Sequence, residues 1–123
     1  MGAIMDVYDG DFESWADVCR YFEEDVAEPD EVLLAMYDMD GYEGSADVIY
    51  RNGDRYYWAH GSHCSCYGLE GQFDPEEYSA ELLVAALRRG NHFYWAGDHA
   101  DALCNQIVDR VLAGGRYEVM GLS

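Results

Sequence analysis

The sequence predicts an α+β fold, read as a single acidic domain over residues 1–123. Three observations predict it: apolar residues at three- and four-residue steps near both ends, an apolar run at 32–37, and an Asn-Gly pair between two alternating segments. Half of the residues are apolar and 15% are aromatic, far too much for a chain that stays disordered. At 123 residues, the chain is long enough to bury a real core.

The elements follow in order. Phe12, Trp15, Cys19, Phe22 and Val26 form one apolar stripe, which predicts a helix over residues 11–27. Asp11 is its expected N-cap and Pro29 its stop, with Glu13, Asp17, Arg20, Glu24 and Glu28 on the opposite stripe. Residues 31–38 read as a strand apolar on both faces, hence central in its sheet. Residues 40–45 read as a loop. Residues 46–51 and 54–59 then flank Asn52-Gly53, a type I′ hairpin turn that sets Arg51 opposite Asp54 and Ile49 opposite Tyr56.

Residues 61–71 read as a loop. Asp74 as N-cap, Pro75 at the first helical position and Glu77 two further on open a second helix, ended by Gly90. Its apolar face is Tyr78, Leu82, Leu83, Ala86 and Leu87. Residues 92–96 form a short strand. Asp98 caps a last helix with Ala100, Leu103, Cys104, Ile107, Val111 and Leu112 inward, and residues 116–120 form an edge strand. The predicted order is an N-terminal acidic helix, an antiparallel meander and two C-terminal helices.

Charge is the outlier. Twenty-five acids oppose seven bases, all of them Arg, for a net −18. The excess is uneven. Asp6, Asp9, Asp11, Glu13, Asp17, Glu23, Glu24, Asp25, Glu28, Asp30 and Glu31 stand against Arg20 alone in the first 31 residues. Such a chain repels nucleic acid and anionic membranes and attracts basic surfaces, of which nucleic-acid-binding grooves are the commonest. Carboxylates at i, i+4 on a helix lie about 6 Å apart and imitate a phosphate row. These eleven residues are therefore the expected partner-binding set. The partner is a host protein with a basic nucleic-acid-binding surface, and neither direct nucleic-acid binding nor membrane binding is expected. A solvated helix face explains the same run with no partner, as does a salt-loving or GC-rich host.

No run of eighteen apolar residues, no basic and apolar leader, and Asp6 where myristoylation needs Ser or Thr all point to the cytoplasm. Reduced thiols are expected there for Cys19, Cys64, Cys66 and Cys104.

A second constellation is His60-Gly61-Ser62-His63-Cys64-Ser65-Cys66. Its two imidazoles and two thiols are ligand types that zinc prefers, so His60, His63, Cys64 and Cys66 are the candidate metal set. Their spacing departs from the usual two pairs separated by a long loop, and no cofactor is the default expectation. Cys64 or Cys66 as a catalytic thiol is a further alternative. It needs a base such as His92 or His99 folded over it, since the adjacent His63 points away in an extended chain, with Glu70 a candidate to orient the base. The plainest reading is a tight loop with inward thiols. Tyr56, Tyr57, Trp58 and Phe93, Tyr94, Trp95 lack a basic groove, so they read as core or protein interface.

The segments Tyr42-Glu43-Gly44-Ser45-Ala46, Arg51-Asn52-Gly53-Asp54-Arg55-Tyr56-Tyr57 and Gly61-Ser62-His63-Cys64-Ser65-Cys66-Tyr67-Gly68-Leu69-Glu70-Gly71-Gln72 resemble small proteins encoded by phages and prophages. The likeness covers about residues 37–88, with Phe73 where that family usually has Trp. The resemblance implies a genetic context and no activity, and the acidic segment lies outside it. By analogy with small acidic phage proteins, the expected function is a non-enzymatic inhibitor of anti-CRISPR or anti-restriction type, acting as a DNA mimic.

Overall fold

A computed structural model describes residues 8–10, 12–40, 43–63, 69, 71–89 and 100–113. In chain order these form β1 (Tyr8–Gly10), α1 (Trp15–Phe22), β2 (Glu31–Asp40), β3 (Glu43–Asn52), β4 (Arg55–His63), β5 (Glu76–Tyr78), α2 (Ala80–Arg88) and α3 (Ala100–Ala113). The fold is α+β, as expected: β2 to β5 form an antiparallel meander, with one helix on its N-terminal side and two on its C-terminal side. The sheet order is β1-β2-β3-β4-β5, and β1 adds a parallel edge strand whose crossover to β2 carries α1.

Both faces of the sheet are covered, so the expected two-sided apolar character of β2 is met. One face carries Val32, Ala35, Tyr37, Ala46, Val48, Tyr50 and Ala59 against Phe12, Trp15, Val18 and Phe22. The other carries Leu33, Leu34, Ile49 and Tyr56 against Leu83, Val84 and Leu87 of α2 and Cys104, Ile107, Val108 and Val111 of α3. Strands alternate faces, yet Leu33 and Leu34 both join the second cluster. A bulge between Val32 and Leu34 makes this possible. Each buried Leu, Ile or Phe contributes about 2 kcal/mol of transfer free energy, and the two clusters hold the layers together.

Several expectations are corrected. The first helix spans eight residues, not 11–27. Ser14, not Asp11, caps it, its Oγ accepting from Asp17 N at 3.3 Å. At its end Glu23 turns left-handed (φ 57°, ψ 45°), and the Glu23 and Glu24 N–H groups donate to the carbonyls of Arg20 and Cys19. This is a Schellman stop, six residues before Pro29. Continuing the helix would stack Glu23, Glu24 and Asp25 on the negative end of its dipole. It would also remove Val26 O from Trp15, whose buried indole N–H donates to it at 2.8 Å.

The hairpin turn is Gly53-Asp54, closed by an Asn52–Arg55 pair. Gly53 alone has positive φ (63°), which fits type II′ and not I′. Arg51 therefore faces Tyr56, and Ile49 faces Trp58. A two-residue slip keeps every side chain on its expected face. The strands are also longer than expected, so the predicted loops at 40–45 and 61–71 give up residues to β2, β3 and β4.

Residues 76–78 pair with β4 as an edge strand instead of opening a helix. Ser79 caps α2, its Oγ accepting from Leu82 N at 3.2 Å. Pro75 then precedes an edge strand, where its missing donor costs nothing. Two helical positions expected inward are exposed, Leu82 at 61% and Leu112 at 37%, while Val84 and Val108 are buried. The expected Gly90 stop, the strands at 92–96 and 116–120 and the Asp98 cap lie outside the described residues. No helix among those described is long and apolar enough to cross a membrane.

Candidate functional site

The acidic segment runs from the start of α1 to the start of β2. Glu13, Glu23, Glu24, Asp25 and Glu28 are exposed and join no ion pair among the described residues. The short helix denies them the i, i+4 row expected on one long stripe. The bonds from Trp15 Nε1 and Cys19 Sγ (3.4 Å) to Val26 O instead fold residues 24–28 back beside α1. Glu13 precedes α1 and Glu23, Glu24, Asp25 and Glu28 follow it, so the exposed carboxylates stand at both ends of one short helix.

Three other members of the expected set are committed elsewhere. Asp17 accepts from Arg20 at 2.8 Å and from Glu13 N at 2.9 Å. Those bonds hold its carboxyl below the ordinary range. Glu31 is mostly shielded and takes Arg51 Nε at 2.9 Å and Arg110 Nη2 at 2.6 Å, which ties α3 to the sheet. Asp30 accepts Gly53 N–H at 2.8 Å and belongs to the hairpin. Asp9 lies in β1 opposite Met36 in register. Asp6 and Asp11 lie outside the described residues.

Of the candidate metal ligands, the structure describes the side chain of His60. It also shows what sequence reasoning missed, the carboxylate of Asp47, buried at 3% exposure in β3. Asp47 Oδ1 accepts from Trp58 Nε1 at 2.9 Å and lies 3.0 Å from His60 Nδ1. The register places these residues on one face, with Asp47 opposite His60 and Trp58 one step diagonal. The Asp47 bond raises the His60 pKa above its ordinary value, against a desolvation cost that lowers it. Asp47 on Nδ1 orients the ring, and a bond to the Ala46 backbone adds to the preference for the charged form. Alternation with Ala46, Val48 and Tyr50 places Asp47 on the other face of β3 and gives no sign of its burial, which comes from the helices packed over that face.

His63 ends β4, and its side chain lies outside the described residues, as do Cys64 and Cys66. Among the described residues no three His, Cys, Asp or Glu side chains gather as a metal site. Cys19 and Cys104 are reduced. His92, His99 and Glu70, named for a thiol mechanism, lie outside the described residues, as do Phe93, Tyr94 and Trp95. Tyr56 is buried in the core, and Tyr57 and Trp58 pack against opposite clusters.

The specific segment Gly61–Gln72 has structural anchors at both ends. A Cβ on Gly61 would sit 3.0 Å from Leu69 and 3.1 Å from Phe22, so any larger residue would press on the side chains that fill the core there. Gln72 Oε1 accepts Ser62 N–H at 2.9 Å and joins the two ends.

The class defined by this fold and surface is an α+β domain with a displayed acidic segment. Comparisons with family models, curated proteins and solved structures gave no match.

Proposed function

We propose that this chain is a non-enzymatic inhibitor of a host nucleic-acid-binding complex, of the anti-restriction or anti-CRISPR kind, acting through its acidic surface. The observation that carries this reading is the set of five exposed carboxylates, Glu13, Glu23, Glu24, Asp25 and Glu28, with no base paired to them among the described residues. The net charge of −18 adds a long-range field that steers encounter with a basic groove. The likeness of Gly61–Gln72 to phage and prophage proteins supplies a setting in which such inhibitors occur. The reading rests on density of charge and no longer on a helical row spaced like phosphates.

The test is inhibition of purified restriction and CRISPR nuclease complexes, measured against salt. Inhibition that weakens steeply as salt rises is expected, because displaced counterions return to the basic groove. Inhibition indifferent to salt, or none across the panel, rejects the reading.

A second reading is a zinc-stabilised interaction module on His60, His63, Cys64 and Cys66. Asp47 favours it, since a carboxylate on Nδ1 is how metal-binding imidazoles are commonly oriented. Metal analysis of the purified protein decides it. Zinc at one equivalent with unfolding on chelation supports the module, and a metal-free folded chain removes it.

A further inference from the structure

The turn of the β3–β4 hairpin holds the chain's only Asn-Gly pair, Asn52-Gly53, and both residues are exposed. Such a pair carries its own chemistry. The Gly53 nitrogen can attack Cγ of Asn52, forming an N–Cγ bond and breaking the Cγ–Nδ2 bond. Ammonia leaves with the proton from Gly53. Water then opens the cyclic imide to aspartate or isoaspartate. Glycine favours the attack because it has no Cβ to crowd the nitrogen, and the space beside the Gly53 Cα is open, with nothing within 4 Å of where a Cβ would stand.

The neighbouring strand start opposes that step. Asp30 Oδ2 accepts the Gly53 N–H at 2.8 Å, so the would-be nucleophile points at a carboxylate and away from Cγ. The Asp30 N–H donates to Asn52 Oδ1 at 3.1 Å and to Arg51 O at 3.0 Å, turning the amide toward β2. Arg51 Nη1 donates to Gly53 O at 2.7 Å and holds the far side of the same peptide. The Asn52–Arg55 pair closes the turn. For attack, the Gly53 nitrogen must leave Asp30, lose its proton and swing to Cγ, while Asn52 gives up its own bond.

We infer that Asn52 is a deamidation site of this chain and that Asp30 restrains it by holding both reacting groups. The product would matter to the fold. Aspartate adds a carboxylate beside that of Asp30, and isoaspartate inserts a backbone methylene into a two-residue turn whose length sets the register.

The test is peptide mapping by mass spectrometry after incubation at mildly alkaline pH, with folding checked by near-ultraviolet circular dichroism. Asp30→Ala removes the acceptor of the Gly53 N–H. It should deamidate at Asn52 roughly tenfold faster than the native chain, the value of about one net hydrogen bond. Asp30→Asn keeps an acceptor oxygen and should stay near the native rate. The native chain itself should be at least about tenfold slower than the same chain in urea, a comparison that needs no variant. The inference is overturned if Asp30→Ala is no faster than native, if Asp30→Asn matches Asp30→Ala, or if folding does not slow the reaction.

Discussion

The carboxylates of Glu31 and Asp47 and those of Glu13, Glu23, Glu24, Asp25 and Glu28 belong to one acidic chain but meet opposite surroundings. Glu31 and Asp47 are shielded, and their hydrogen bonds and ion pairs to Arg51, Arg110, Trp58 and His60 join elements. Glu13, Glu23, Glu24, Asp25 and Glu28 are wet and unpaired among the described residues. Net charge counts both kinds alike. The structure separates charge that holds the fold from charge that is on display, and only the second kind is free to meet a partner.

The sharpest way to break this division is at Glu31. Its removal leaves Arg51, 5% exposed, and Arg110, 19% exposed, facing an empty carboxylate site. Glu31→Ala should lower the unfolding free energy by about 3 kcal/mol in urea titration, the value of two charge-assisted hydrogen bonds lost at once, since Arg51 keeps Asp30 at 3.7 Å and Gly53 O at 2.7 Å. A loss below about 0.5 kcal/mol, the usual range for a surface change, would place Glu31 with the displayed set.

Asp47→Ala comes next. It leaves the Trp58 indole N–H without its carboxylate acceptor and should cost about 2 kcal/mol. The same site gives a pH dependence. The His60 pKa in the folded chain lies above the ordinary 6.5, first because of Asp47. A raised folded pKa means a contribution that is complete below the unfolded value and lost as the pH climbs through the folded one. Stability should therefore fall on going upward from about pH 6.5, modestly, because half of the His60 side chain is in water. The dependence should vanish in Asp47→Ala; a native chain whose stability is flat across that window contradicts the assignment.

The displayed set should respond least. Replacing Glu24, Asp25 and Glu28 by Gln, Asn and Gln should change stability by under about 0.5 kcal/mol, since the three are exposed and unpaired among the described residues. Glu23→Gly at the left-handed cap should be neutral to slightly stabilising, by up to about 1 kcal/mol, as glycine carries no Cβ penalty there. Thermal melts read both, and a marked loss in either would show that these acids hold the fold.

Much of this was legible beforehand. The apolar stripe Phe12, Trp15, Phe22 and the run 32–37 were read as apolar and inward, and all but the half-buried Met36 are buried, because periodicity reports burial directly. The helix ends were misread because Ser14 and Asp11, or Ser79 and Asp74, are equally good caps by residue type. Only the tertiary acceptor for Trp15 and the pairing partner for β4 decide between them. The roles of Glu31 and Asp47 were invisible because they depend on register across strands and on Arg110, 79 residues away. Glu31 and Glu28 look alike in sequence and differ only in what folds over them.

The most direct test is nuclease inhibition as a function of salt, comparing the native chain with one carrying Glu13→Gln, Glu23→Gln, Glu24→Gln, Asp25→Asn and Glu28→Gln. The account predicts equal unfolding curves, a steep salt dependence for the native chain, and a variant that loses most of both affinity and slope. Matching affinity and matching salt slope in the two chains would contradict it.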